Sequence, residues 1–321
     1  ALGPTSASTL LMAAEFQFDA GRSDLGFELT SRALKAADAQ LYDAAFSLLA
    51  AKQVEPAHVP EALGMDRPAA LAFLRHFLRA ESLDVDAARS VWAWVVRRGF
   101  ADDQIAGEHT TVLLSQKLER EAWDDWLQYA RARREGMGGP AESRTSDAVA
   151  VPDEVLDYPA SNRIFNSGFE RESAGGPFDW RIDARAGVKA TFDRTQPRAG
   201  ARSLRLAFDG SENVGEIGVM QQVYLEPGHY IFRAEVRSQN LTTDQGMAFR
   251  ISCNAPLVSL DQTTDAVRGT TDWTTIAAGF DVPEGCGLVS VRLVRKTSLK
   301  FDKLFKGQAW LDAVEIASPS Q

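Results

Sequence analysis

Cysteine is almost absent from this chain: only Cys253 and Cys286 occur among 321 residues. Two cysteines at that spacing match no zinc-ligand pattern and define no disulfide framework. Long apolar runs are missing as well. No stretch approaches the roughly 18 residues that cross a bilayer as a helix, which excludes an integral membrane segment of that kind. The first residues carry neither a basic start nor a long apolar core, so no signal peptide is expected. Histidine is scarce, and His58, His76, His109 and His229 stand isolated in sequence. No Gly-x-Ser-x-Gly elbow, His-Glu-x-x-His pair or Walker loop appears. No catalytic residue is assigned, and the chain reads as a non-enzyme.

Positive charge is also in deficit, with a formal net of −9. The imbalance is local. Residues 1–139 carry 15 Lys and Arg against 20 Asp and Glu, a net of −5. Residues 140–161 carry 1 against 5, a net of −4. Residues 162–321 carry 19 of each and are neutral. Nucleic-acid binding requires a basic footprint, which an acidic front half does not supply.

What is present changes character near residue 162. Before it, apolar residues recur at helical spacing. Ala14, Gly26 and Ala33 fall at the positions of small residues in a tetratricopeptide repeat, a pair of antiparallel helices about 34 residues long. The spacing predicts helices over 9–20, 23–38 and 41–52. Asp66 and Pro68 mark a helix start. Ala88, Val91, Trp92 and Val95 form one face of a helix that Asp84 or Asp86 caps and Gly99 ends. Further helices are expected at about 101–118 and 119–134. Such pairs stack into a solenoid able to hold a protein partner. Trp94, Trp123 and Trp126 are either partner contacts or, by the usual behaviour of large aromatics at helical spacing, core between repeats. Residues 140–161 are rich in Ser, Thr, Asp, Pro and Ala and read as an acidic linker.

After residue 162 the apolar positions alternate. Leu204, Leu206 and Phe208 share one face, as do Val219, Gln221, Val223 and Leu225. Tyr230, Phe232, Ala234 and Val236 follow, then Phe249, Ile251 and Cys253, then Val289, Val291 and Leu293, with a last strand near 309–317. Eight or more short strands predict a β-sandwich of jelly-roll type. The chain thus divides into 1–139, a tetratricopeptide-like helical solenoid, and 162–321, a β-sandwich.

Several short motifs carry a resemblance. Asn166-Ser167-Gly168-Phe169-Glu170, Phe178-Asp179-Trp180 and Arg202-Ser203-Leu204-Arg205-Leu206 resemble the opening of family 4/9-type carbohydrate-binding modules. Val223 to Tyr230, Trp273-Thr274 with Val282-Pro283, and Trp310-Leu311-Asp312-Ala313-Val314 continue it in order over about residues 162–317. The resemblance implies a galactose-binding-like jelly roll. The whole architecture is similar to bacterial tetratricopeptide proteins of exopolysaccharide or O-antigen systems, which implies an extracytoplasmic place in the bacterial envelope. Modules of this family hold a structural calcium, and Glu170 and Asp312 occupy the matching positions. Both carboxylates are otherwise turn caps or partners of nearby arginines.

Sugar contacts come from exposed aromatics and planar polar groups. Trp180, Tyr224, Trp273 and Trp310 are the candidates. The family pattern has Trp180 and Trp273 packing structurally, and Trp310 is expected on the core face with Val314 and Ile316. Tyr224, opposite Val223 and Leu225, is expected outward. Arg205, Arg233, Arg237, Arg250 and Arg292 also alternate outward. On one sheet they would form a basic surface suited to uronate or phosphate. The other reading is a solvated face with partners such as Glu235. Cys253 and Cys286 are either disulfide-bonded or small buried hydrophobes. The expected function is a non-catalytic envelope protein, its helices holding a protein and its sandwich contacting an acidic polysaccharide. The rival is an assembly subunit that binds no sugar.

Overall fold

The computed structural model describes residues 6–36, 39–134, 162–173, 175–242, 244–255, 258–299 and 303–318. The expected linker, with Tyr158 and Pro159, lies outside them. Eight helices are present among these residues: α1 (Ala7–Asp19), α2 (Ser23–Ala36), α3 (Ala39–Ala51), α4 (Val59–Ala62), α5 (Arg67–Leu78), α6 (Val85–Arg97), α7 (Asp103–Ser115) and α8 (Glu119–Arg134). The starts of α5, α6 and α7 follow from side-chain caps, which satisfy backbone N–H groups that the first turn leaves unpaired. Asp66 accepts from the Ala69 N–H at 3.0 Å, Asp84 from Ala87 at 3.0 Å and Asp102 from Ile105 at 2.9 Å. Gly99 ends α6 in the left-handed region at φ 69°. The short α4 has no counterpart in the sequence reading, because one turn shows no periodicity.

The chain partitions into two compact units. One comprises Ala1–Leu113 with Leu127–Ser143, and the other Leu114–Trp126 with Arg144–Gln321. The division falls inside both α7 and α8.

Within the first unit a single spacing recurs in the contacts. Lys52 pairs with Asp19, His76 approaches Asp43 at 3.5 Å, Trp94 donates to Glu61 at 3.0 Å, and Arg75 meets Glu108 at 2.7 Å. Arg67 donates to the Phe100 carbonyl at 3.0 Å. Each pair is 33 residues apart in sequence. Contacts repeated at one offset are what stacked helical hairpins of near-constant length produce. Ala14 and Ala33 are buried, and a Cβ on Gly26 would lie 2.7 Å from the Phe18 ring. Small residues are needed there because α1 and α2 approach closely.

The second unit is a β-sandwich of ten strands: β1 (Arg181–Ile182), β2 (Val188–Asp193), β3 (Ser203–Asp209), β4 (Glu216–Tyr224), β5 (Gly228–Thr242), β6 (Ala248–Cys253), β7 (Asp261–Thr263), β8 (Gly269–Val282), β9 (Leu288–Val294) and β10 (Lys306–Ala317). One antiparallel sheet runs β1-β4-β9-β6-β7 and the other β2-β3-β10-β5-β8. The alternating apolar residues meet between them. Leu204, Phe232, Val236, Phe249, Ile251, Val289 and Leu311 are all fully buried. Gln221 is one polar exception on that face. It is buried and pairs both polar atoms of Phe165, accepting its N–H at 2.8 Å and donating to its carbonyl at 2.9 Å.

Trp123 and Trp126 reach aromatic rings of the rear half. Trp126 sits 5.1 Å from Phe165 and Trp123 5.1 Å from Phe178, inside the second unit. Sequence period alone cannot say which neighbour a buried aromatic face receives.

Candidate functional site

The outer face of the β2-β3-β10-β5-β8 sheet carries a connected polar and aromatic arrangement. Register sets it. Thr191 opposes Arg205, Arg205 opposes Trp310, and Trp310 opposes Arg237, so four strands contribute to one lateral row. The adjacent row, Leu204, Leu311 and Val236, is fully buried. Alternation therefore turns the arginines and Trp310 to the solvent side.

Trp310 is nevertheless only 6% exposed. The Arg205 and Arg237 guanidinium carbons lie 5.9 and 5.8 Å from its ring centre. Cation–π attraction accounts for that placement. The indole N–H donates to Asp193 at 2.7 Å, and Asp193 also accepts from the Thr195 hydroxyl at 2.6 Å. Partial burial pushes the Asp193 carboxyl upward, but the hydrogen bonds from Thr195 and Trp310 outweigh it and leave the carboxyl below its ordinary range. Arg205 donates to Gln308 at 2.9 Å, and Arg237 donates to Gln196 and lies 3.8 Å from Asp272. The half-buried Trp273 follows Asp272 on β8.

Trp310 was expected in the core with Val314 and Ile316. The structure corrects this. A register shift between Asp312 and Glu315, with Ala313 at φ 46°, reverses the alternation, so Trp310 faces out while Val314 and Ile316 face in. A bulge of this kind adds one residue to one strand.

The five arginines do not share one surface. Arg205, Arg233 and Arg237 lie on the sheet just described, whereas Arg250 and Arg292 lie on β6 and β9 of the other. Each sheet has its own outer face, and alternation cannot tell them apart. Arg250 makes a two-pronged pair with Asp261 at 2.6 and 2.8 Å. Arg233 meets Glu315 at 3.4 Å, and Glu235 takes Arg198 at 3.2 Å and the Thr275 hydroxyl. The Arg292 Nε is buried without a hydrogen-bond partner.

Trp180 is removed from the candidates. It is fully buried, donates its indole N–H to the Asn166 carbonyl at 3.1 Å, and packs 4.9 Å from Phe169. A ring with no exposed face cannot stack on a sugar. Tyr224 is half-buried, and burial raises its hydroxyl pKa, with Glu226, Glu119 and Asp124 adding to the effect against Arg120. Those acids surround it with negative charge, which disfavours an anionic glycan at that point.

Glu170 and Asp312 are both buried beside the 198–202 loop. Asp312 accepts the N–H groups of Arg198 and Ala199 at 2.8 and 3.0 Å and of Ala313 at 2.7 Å. Glu170 Oε1 accepts from Ala201 at 3.0 Å, while Oε2 is buried without a partner. Burial raises the Asp312 carboxyl to about 6, and the nearby Glu170 charge adds to the rise. Glu170 is raised too, chiefly by burial. An orphaned carboxylate oxygen next to a second buried acid suits a hard, oxygen-seeking cation. Arg202 already engages the Glu170 carbonyl. Among the described residues no group of three or more His, Cys, Asp or Glu converges. Calcium there would rely on these two carboxylates and on backbone carbonyls.

Cys253 and Cys286 are joined in a disulfide, with Cα atoms 5.6 Å apart. It ties the end of β6 to the turn before β9.

No protein-family model matches the chain. No curated protein matches it either. Solved structures with which it aligns include the CBM22-1 xylan-binding domain from Paenibacillus barcinonensis Xyn10C, at 18% identity, 47% of this chain, 90% of that one and a TM-score of 0.30. They also include a family 16 carbohydrate-binding module at 20% identity, 49% and 100% coverage and a TM-score of 0.33. A xylan-binding domain from CBM22 aligns at 14% identity, 51% and 99% coverage and a TM-score of 0.36. Scores this low decide nothing about a ligand.

Sequence reasoning found Arg205 and Arg237 but missed their role as caps on Trp310. It also missed Asp193, Gln196 and Gln308. Their contacts span 41 to 117 residues of sequence, the longest from Asp193 to Trp310, and no short motif records them.

Proposed function

We propose that the sandwich binds polysaccharide through the outer face of the β2-β3-β10-β5-β8 sheet, and that the chain works by adhesion without making or breaking covalent bonds. The observation that carries this reading is the indole of Trp310 held between two guanidinium groups. A uronate carboxylate can accept hydrogen bonds from a guanidinium fork. Drawing Arg205 and Arg237 aside in that way would expose the indole face to the apolar C–H face of a sugar ring. The helical unit, tetratricopeptide-like in its 33-residue contact spacing, holds a protein partner in this reading. The setting is the extracytoplasmic envelope of a bacterium, in exopolysaccharide or O-antigen assembly or export. A calcium ion held by Glu170 and Asp312 would serve structure rather than reaction.

A second reading is favoured by one specific fact. Arg205, Arg233, Arg237 and Arg250 each already have a protein partner. In a purely structural assembly subunit, that network would only stiffen the sheet.

Affinity electrophoresis of the full chain in gels containing a polyuronate or a neutral glucan separates the two. Retardation by the polyuronate, reduced at least tenfold in apparent affinity by Arg205→Gln with Arg237→Gln, supports the adhesion reading. Equal migration in all gels, or a double variant retarded like the wild type, overturns it. Near-UV circular dichroism checks that the variant stays folded.

A further inference from the structure

The sandwich is incompletely filled along one side. β1 is the edge strand of one sheet and β2 the edge strand of the other. β1 has two residues and β2 has six, so the shorter edge leaves the longer one partly uncovered. On β2 the pairs Ala190 with Leu206 and Phe192 with Leu204 fix which side chains point between the sheets. Leu204 and Leu206 are fully buried, yet Ala190 and Phe192 are not. The space beside them is an open cleft of about 480 Å³, lined by Ile182, Ala190, Phe192 and Leu204 and by the polar side chains of Glu172, Arg181 and Asp183 at its rim.

The cleft is built, not slack. Asp183 donates its N–H to the Gly218 carbonyl at 2.8 Å. Gly218 has φ 85°, and a Cβ there would lie 2.5 Å from the Asp183 carbonyl oxygen. Only glycine permits that approach, and it fixes the rim on the β1 side. On the other side the Arg202 guanidinium covers one face of Phe192 at 5.3 Å. Phe192 also lines the cleft.

Charge around the rim is locally balanced. Asp183 lies 3.4 Å from Arg181 and 3.7 Å from Arg185. Arg202 lies in the field of both Glu170 and Glu172. A balanced rim offers no net attraction to an anion. It does offer planar donors and acceptors above an apolar floor with one aromatic ring. That combination, in a volume within the roughly 300–1,000 Å³ of small-molecule sites, fits a ligand with an apolar face and a hydroxyl-rich edge.

We propose that this cleft is a second binding site, specific for an uncharged pyranose of a glycan chain and separate from the arginine-capped Trp310 face. Phe192, Ala190 and Ile182 take the C–H face of the ring. Glu172, Asp183 and Arg181 hydrogen-bond its hydroxyls. The site rests on the saccharide reading above but uses neither Trp310 nor the arginines that cap it, so the two are tested apart.

The test is isothermal titration of the full chain with neutral cello-, manno-, galacto- and xylo-oligosaccharides. Glu172→Gln and Phe192→Ala are compared with Arg205→Gln plus Arg237→Gln. At least one neutral oligosaccharide binds the wild type. Glu172→Gln, a change on an exposed rim that leaves folding intact, weakens it at least fivefold, and Phe192→Ala weakens it further. The arginine double variant binds it like the wild type. Polyuronate retardation is unchanged by Glu172→Gln. The proposal is overturned if no neutral oligosaccharide binds, if Glu172→Gln and Phe192→Ala bind like the wild type, or if only the arginine double variant loses binding. Loss of polyuronate binding with neutral binding intact would instead remove the Trp310 face and leave the cleft standing.

Discussion

Lowering the pH from 7 to 4 without divalent cations is expected to stabilise the sandwich at one identifiable place. Burial holds the Asp312 carboxyl at about 6, against 3.8 for the free group. Folded Asp312 therefore keeps its proton to higher pH than unfolded Asp312. Between about pH 4 and 6 the native chain binds more protons than the unfolded one, and stability falls as pH rises through that window. The displacement from 3.8 to about 6 is about two pK units, and each is worth about 1.4 kcal/mol, so the full span is about 3 kcal/mol. Asp312→Asn cannot titrate. It is less stable at every pH, since its amide nitrogen must face a backbone N–H that now has no acceptor. The readout is thus a difference. In urea unfolding followed by near-UV circular dichroism, the stability advantage of wild type over Asp312→Asn should shrink by about 2 kcal/mol from pH 4 to 7, since at pH 4 part of the full span is already lost. An advantage that stays constant, or grows with pH, would refute the claim that this acid is held above its unfolded value. Calcium at pH 7 provides a second arm. A cation between Glu170 and Asp312 would offset their repulsion, and at a hundredfold excess over its dissociation constant it stabilises by about 2.7 kcal/mol. Loss of that gain in Asp312→Asn is the expected outcome, and an equal gain in both proteins would place the ion elsewhere.

Reduction of the Cys253–Cys286 bond, which spans 33 residues, should lower the stability of the sandwich by about 3–4 kcal/mol on the loop-entropy scale. Urea midpoints with and without dithiothreitol measure it, and unchanged midpoints would contradict the bond. Trp126→Ala should destabilise the second unit by about 3–5 kcal/mol, because a fully buried ring against Phe165 leaves a cavity. A loss below about 1 kcal/mol in urea unfolding would show that the helix segment does not belong to that core. Gly218→Ala should cost more than about 1 kcal/mol by thermal unfolding, from positive φ and the clash with the Asp183 carbonyl. A neutral result would mean that the β1 edge relaxes freely.

Much of the fold was legible because two periods differ so clearly. Helical spacing in the front half and alternation in the rear half recovered most elements, and the inward sets on β3, β4, β5, β6 and β9 are buried as alternation requires, except for the half-buried Cys253 at the end of β6. Capping residues located the starts of α5 and α6 for the same local reason. The site was less legible. Alternation said that Arg205, Arg237, Arg250 and Arg292 point outward, but not that they divide between two sheets. It placed Trp310 inward, because a single inserted residue near Ala313 reverses the face and leaves no mark in composition. The cleft by Phe192 had no signal at all, since it arises from the unequal lengths of two edge strands that are not neighbours in sequence.

The amino-acid sequence by itself determined which segments coil and which extend, since those choices rest on contacts a few residues apart. It also determined the neutral charge of the rear half and the acidity of the front. Tertiary structure alone decided which sheet each strand joins, which arginines flank Trp310, and where Trp123 and Trp126 find their partners. Those outcomes depend on register and strand order, which are set by packing between residues far apart along the chain.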